Sequence, residues 1–358
     1  MHMDRRPALL PFVAWFLVGI TVAGTVQLLR AGAMGGPEGL LFAGELEPAH
    51  VVVARELPNA PIEENHGHDG QIFYAIGIDP AAIDTPSDVV PPYRFRRILY
   101  PALSGLFGSL GGTALMWGMI ALAAISTGLA AGAVGGLASQ RSLPFLAPLA
   151  VILNPGVWLS AMFLTADVLA LAGGLLALWA FSNDRDGWAW LALAAAALTK
   201  ETHLVFAFSL AGYLFTRGER RRALTYLVVP AIPLVMWLTY VVFRVGNPLV
   251  SGDNLGVPLE GILSATELWS SNTGVEKFFT ATTLLSGLLA ITLILRGLRL
   301  GTWLVTPWLL IGALSSHYVW DLGNNSIRTL APLFTLGILG SMSGMESASP
   351  ANAKAPSR

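Results

Sequence analysis

Charge-free runs at residues 7–29, 98–140, 142–166, 223–243, 278–295, 300–316 and 329–345 constrain this chain more than any other feature. About 20 apolar residues in a helix cross the ~30 Å hydrocarbon layer of a bilayer, and most of these runs are long enough. A water-soluble core cannot absorb that much uncharged sequence in 358 residues. Charged residues are 12% of the chain, half the ~25% usual in soluble domains, and mean hydropathy is +0.62. The expected fold is therefore an all-α polytopic membrane protein. With no cysteine in the chain, thiolate chemistry and disulfides are excluded. The motifs of nucleotide-binding and soluble hydrolytic enzymes are missing too: no P-loop, no GxGxxG after a strand, no HExxH and no nucleophile elbow.

The first apolar run follows Arg5-Arg6 and could pass for a secretory leader, but about 23 residues exceed the usual 7–15 of a leader's apolar core. It reads as an uncleaved first helix. Placing Arg5 and Arg6 in the cytoplasm by the positive-inside tendency sends residues 32–92 outside as a long loop rich in Pro, Gly and acids. Residues 93–110 follow, where arginines precede the apolar Ile98, Leu99, Leu103, Leu106 and Leu110, the pattern of a helix lying in the interface. A second span, 112–138, returns inside. Asn154-Pro155-Gly156 breaks 142–183 into an outward span and an inward one starting near Ala161. Lys200-Glu201-Thr202-His203 divides 187–216 into two short segments, which keeps the cluster Arg220-Arg221-Arg222 inside. Further spans fall near 223–245, 277–295, 301–318 and 327–345, with an outer loop at 247–276. The sum is about ten transmembrane helices in one domain, 1–345, in the plasma (inner) membrane with both termini cytoplasmic. Residues 346–358 read as a disordered cytoplasmic tail.

Functional side chains crowd the first outer loop. Glu63-Glu64-Asn65-His66-Gly67-His68-Asp69-Gly70-Gln71 runs into Phe73 and Tyr74, so Asp69 stands at the edge of a short buried helix. A carboxylate beside imidazoles suits a general base, and His66, His68 and Glu64 are candidate ligands for a divalent metal. Arg94, Arg96 and Arg97 lie between Tyr93, Phe95 and Tyr100 on the outer side, against the positive-inside tendency; guanidinium forks bind phosphate bidentately. Lys200 and Glu201 interrupt apolar sequence, where a charge costs roughly 2.5–3.5 kcal/mol unless it faces a cavity or a partner. For Lys200 and Glu201, and for Asp167 after Thr165, the sequence leaves a structural ion pair and a site role as alternatives. His317, Tyr318, Trp320, Asp321, Asn324, Asn325 and Arg328 gather at another outer helix boundary.

This layout resembles the GT-C superfamily of membrane glycosyltransferases that use polyprenyl-phosphate sugars. The likeness rests on Asp69-Gly70-Gln71, Tyr74, Asp79-Pro80, Tyr93-Arg94 and Arg97-Ile98-Leu99-Tyr100-Pro101, and on the short paired segments meeting at Lys200-Glu201. The resemblance implies an inverting transferase that moves sugar from a polyprenyl-phosphate-linked donor to a cell-envelope glycan, lipid or protein acceptor. Asp69 would be the base. His68, Gln71, Tyr74, Arg94, Arg96, Arg97, Lys200, Glu201 and Arg328 would bind substrate. The chain departs from the family's paired acidic motif, since Glu63 and Glu64 lie several residues before Asp69, so that motif does not support a metal cofactor. Membrane lipids are expected partners and nucleic acid is not. The alternative is a transporter or flippase for a lipid or anionic solute, with Asp167, Lys200 and Glu201 along a path through the bilayer.

Overall fold

The computed structural model describes residues 9–141, 143–248, 254–297 and 299–342. Arg5, Arg6 and the expected tail lie outside them. About three quarters of the described chain is helical; its one sheet is a two-residue parallel pairing of β1 (Ala43–Gly44) with β2 (Ile62–Glu63).

The α-helices in chain order are α1 (Leu9–Ala33), α2 (His50–Glu56), α3 (Asp69–Ile78), α4 (Leu99–Gly105), α5 (Gly112–Arg141), α6 (Leu149–Ile152), α7 (Pro155–Met162), α8 (Asp167–Ser182) and α9 (Asp186–Thr199). They continue as α10 (Leu204–Thr216), α11 (Arg220–Val228), α12 (Ala231–Arg244), α13 (Glu260–Glu267), α14 (Gly274–Leu295), α15 (Arg299–Leu314), α16 (His317–Trp320), α17 (Gly323–Thr329) and α18 (Ala331–Met342).

Among the described residues, four helical stretches are long and apolar enough to cross a membrane: α1, α5, the α11–α12 run and α14. The most apolar part of α5 is 72% buried, against 17% for α1, so α5 is the central rod and α1 lies on the outside. Small residues bring the two together. A Cβ on Gly19 of α1 would press against the backbone of Gly128 in α5, a contact that only side-chain-free backbones permit. The outward face of α1 carries Leu9, Leu10, Leu17, Leu28 and Leu29, and that of α12 carries Val235, Met236 and Phe243, all exposed. An apolar surface of that extent needs a non-aqueous solvent.

The breaks follow local chemistry. Asn154, in extended backbone, accepts from the Gly156 N–H and caps α7, with Pro155 in the first turn. The next helix starts at Asp167 rather than near Ala161. Leu164 is left-handed (φ 51°), and Ser160 Oγ accepts from the Val168 N–H, so the chain turns before α8 can begin. Lys200 is extended (φ −155°, ψ 115°) and separates α9 from α10 as the sequence indicates.

Residues 34–111 form a packed cap. Leu40, Leu41, Val53, Phe73, Tyr74 and Tyr100 bury against Leu115, Met116 and Met119 of α5. Trp237 Nε1 in α12 donates to the Phe95 carbonyl, and Tyr240 OH to that of Ala81. The segment 93–110 is not one interfacial helix: it is a 3-10 turn (Pro92–Arg96), then α4, then a second 3-10 turn (Gly108–Leu110). Pro91 and Pro92 fix the first turn, and Arg97 leaves helical geometry (φ −99°, ψ 56°). Leu106, Phe107 and Leu110 still present an exposed apolar edge.

The bundle has two polar ends. Asp167 at the start of α8, Lys200 after α9 and Arg328 in α17 meet beneath the cap. At the far end, Gln140 of α5 donates to Asn183 after α8, and Arg222 of α11 pairs with Asp186 of α9.

Candidate functional site

The site begins with the packing of one loop. Gly67 is left-handed (φ 60°), and a Cβ there would strike the Phe42 carbonyl; a Cβ on Gly70 would strike that of Phe163. These two glycines let residues 66–70 lie flat on neighbouring backbone. The His68 ring stacks on Phe163 with centroids 3.8 Å apart and meets Phe42 edge-on at 5.6 Å. Gln71 fastens the loop: its Oε1 accepts from the Gly44 N–H (3.2 Å) and its Nε2 donates to the His66 carbonyl (2.9 Å).

This fixes Asp69 at the first position of α3, where a helix N-terminus favours negative charge. Arg94 Nη1 donates to Asp69 Oδ1 at 2.8 Å, and Arg328 Nη2 approaches Oδ2 at 3.6 Å. Arg94 also lies over the Tyr93 ring, 4.9 Å from its centroid, and Arg328 Nη2 donates to Asn325 Oδ1 at 3.1 Å. Two further ion clusters share the space. Lys200 Nζ pairs with Asp167 Oδ1, whose other oxygen accepts from Thr165 Oγ1 at 2.8 Å. Glu201 receives Arg97 Nε at 3.4 Å and Arg96 Nη2 at 3.5 Å.

The charged members of these clusters all line one cavity of about 700 Å³, within the ~300–1,000 Å³ range of small-molecule sites. The charged wall carries Arg94, Arg96, Arg97, Lys200 and Arg328 against Glu47, Asp69, Asp167 and Glu201. Leu255, Ile311, Val319 and Leu322 line its apolar side. Cations exceed carboxylates by one, and the excess is not spent on pairing. Arg94 Nε and Arg328 Nε and Nη1 are buried with no hydrogen-bond partner. A buried donor left unpaired costs about 1–3 kcal/mol, so this wall is suited to receive an anion.

Burial alone would push the Asp69 carboxyl up, but the Arg94, Arg328 and Arg97 guanidiniums outweigh it and hold Asp69 well below the usual carboxylate range. Burial, and secondly the Arg328 charge, lowers the His68 imidazole, against Asp69 and Glu63. Glu47 is raised, chiefly by burial and secondly by Asp69, against Arg94 and His66.

Of the residues singled out in the sequence, Asp69, His66, His68, Arg94, Arg96, Arg97, Lys200, Glu201 and Arg328 line the cavity. Gln71 and Tyr74 do not. Both are fully buried, Gln71 as the loop fastening and Tyr74 against Gly112 of α5. A helix advances about 100° per residue, so Gln71 and Tyr74 point about 160° and 140° away from Asp69, while Ile72 and Phe73 come round to its side. Ile72 and Phe73 do line the cavity. That signal was present in the sequence once α3 is taken to start at Asp69. The candidate metal ligands are not brought together either. Glu64 and His66 are exposed, His68 stacks on Phe163, and among the described residues no three His or carboxylate side chains are grouped to hold a metal. Glu47 escaped sequence reasoning because nothing distinguishes it from Glu38, Glu45 and Glu56 in the same loop.

Comparison of the chain with protein-family models, with curated proteins and with solved structures finds no match to any of them.

Proposed function

We propose that this protein is an integral membrane glycosyltransferase that transfers a sugar from a polyprenyl-phosphate-linked donor to a cell-envelope acceptor, with Asp69 as the base. One observation carries the reading: a carboxylate bracketed by two arginines with spare donors, in a cavity at one end of an apolar helix bundle.

In this reading the chain crosses the bilayer ten times, through α1, α5, α6–α7, α8, α9, α10, α11–α12, α14, α15 and α17–α18. Arg185, Arg217, Arg220, Arg221 and Arg222 lie at the end away from the cavity, which the positive-inside tendency makes cytoplasmic. The cavity then faces outward and both termini lie inside. At ~1.5 Å per residue, α8 with 16 residues, α9 with 14 and α10 with 13 are only about 20–24 Å long. That is short of the ~30 Å hydrocarbon layer, so in this reading Asp167 and Lys200 lie just inside its outer boundary, level with the first units of a lipid chain whose phosphate is above them.

The chemistry is a single displacement. The acceptor hydroxyl gives its proton to Asp69, its oxygen attacks the anomeric carbon, and the carbon–oxygen bond to the phosphate breaks with its electron pair. Polyprenyl phosphate leaves, and Arg94 and Arg328 stabilise the charge that grows on it. The sugar is inverted because attack and departure lie on opposite faces. A transporter path calls for ionisable groups along the bundle, whereas Asp167, Lys200 and Glu201 all meet at the cavity end.

The test is transfer of radiolabelled sugar from a panel of polyprenyl-phosphate donors to envelope extracts, with purified wild type and Asp69→Asn in nanodiscs. Transfer by wild type that disappears in Asp69→Asn, with donor binding retained, supports the assignment. Equal transfer by both proteins removes Asp69 from the role of base. Solute or lipid translocation by proteoliposomes, without transfer, replaces the enzyme with the transporter.

A further inference from the structure

Asp69 occupies only part of what Arg94 and Arg328 offer. It takes Nη1 of one and, loosely, Nη2 of the other, leaving three buried nitrogens with no acceptor. The Arg328 side chain is only 11% exposed, so water does little to satisfy those donors. A planar carboxylate presents two oxygens. A phosphate presents four around a tetrahedron, two of them free in the diester of a lipid-linked sugar and three in the lipid phosphate that leaves, and two guanidinium forks converging from α17 and the Pro92–Arg96 turn can reach several at once.

We propose that Asp69 is an internal competitor for an oxyanion site formed by Arg94 and Arg328, and that a phosphate group binds there by displacing the carboxylate from the two arginines. The inference rests on the transferase reading for the identity of the anion, and its test needs no transfer. Two anions sharing the same cations oppose each other, and by linkage the opposition is mutual. The carboxylate weakens phosphate binding, and bound phosphate makes the carboxylate a stronger base by the same factor. Asp69 is thus a poor base while paired and an effective one once donor phosphate has taken its arginines. Deprotonation of the acceptor is thereby tied to a loaded donor site. Lys200 and Glu201 stay out of the exchange, engaged with Asp167 and with Arg96 and Arg97.

The experiment measures calorimetric affinity of the full chain in dodecyl maltoside, free of phospholipid, for inorganic phosphate and for farnesyl phosphate. Wild type is compared with Asp69→Asn, Arg328→Gln and Arg328→Lys, each checked by melting temperature. The expected result is unusual in sign: removing the carboxylate charge tightens binding, by about tenfold. Arg328→Gln weakens it by about tenfold or more, and Arg328→Lys falls between because it keeps the charge and loses the fork. Tightening for both probes assigns the site to the oxyanion alone; tightening for farnesyl phosphate only assigns it to a lipid-borne phosphate. Either supports the exchange. Asp69→Asn binding both probes no more tightly than wild type overturns it, as does unchanged binding in folded Arg328→Lys. A chain that shows the exchange but transfers no sugar keeps this inference and loses the transferase.

Discussion

At the far end of the bundle, Arg222 donates through Nε and Nη2 to both oxygens of Asp186, through Nη1 to Glu219, and Tyr226 OH completes the acid at 2.7 Å. Every nitrogen of that guanidinium has an acceptor. At the cavity end, Arg328 and Arg94 meet an acid of the same type, yet three of their nitrogens have none. Both clusters tie helices that are distant in sequence. The Arg222 cluster is closed, and its shape explains a staple between α9 and α11. The Arg328 cluster is open toward a cavity, and spare donors at an open site are what an incoming anion requires.

The comparison breaks most visibly in activity. Asp69→Asn is expected to lower sugar transfer about 10²–10⁴-fold, the usual worth of a general base, while Arg222→Gln transfers at the wild-type rate. Loss of transfer in a folded Arg222→Gln protein would erase the distinction between the two ends.

The next effect lies in stability. Lys200 and Asp167 are both buried, so Lys200→Met leaves a carboxylate without its cation and should cost about 3–5 kcal/mol. Adding Asp167→Asn should recover most of that loss in chemical unfolding of the detergent-solubilised protein. A double variant no more stable than Lys200→Met would show that the pair is not the reason for the loss.

Arg222→Gln should destabilise less, by about 1 kcal/mol, because Arg222 and Asp186 are each 28% exposed and partly screened. Unfolding midpoints of the same protein used in the transfer assay measure it.

The smallest effect is on pH dependence. Asp69 is held below its unfolded value, so its contribution to stability is complete above the ordinary carboxylate range near ~4 and fades as pH falls through the depressed native value. The melting temperature of wild type should therefore exceed that of Asp69→Asn at pH 7, and the gap should narrow below about pH 4. A gap that widens on acidification would mean that the two arginines do not stabilise the ionised form.

Much of this protein was legible without coordinates. The charge-free runs mark the helices because lipid-facing and bundle-facing residues are alike apolar, and the pattern survives any arrangement of the helices. Asn154-Pro155 and Lys200–His203 announce breaks through local effects: a missing N–H, a capping side chain, a charge inside apolar sequence. The stretch from His66 to Arg97 declares itself by density alone. Less legible were starts set by tertiary packing. Residues 142–166 gave no sign that Leu164 turns left-handed and delays α8 to Asp167. Pro91, Pro92 and a non-helical Arg97 split a 3-10 turn from residues 99–110, so that the apolar helical pattern of 93–110 holds only in its second part.

The sequence alone determined that the chain is an apolar helical bundle with its reactive side chains concentrated in a few polar interruptions, because composition and local backbone preference act within a few residues. Which interruptions face each other was decided only by the tertiary structure. Asp69 meets Arg328, Glu201 meets Arg97, and Arg222 meets Asp186 because helix ends converge, and spacing along the chain carries no record of that convergence. The same packing left Arg94 and Arg328 with donors to spare, a property of how many acceptors reach them in space.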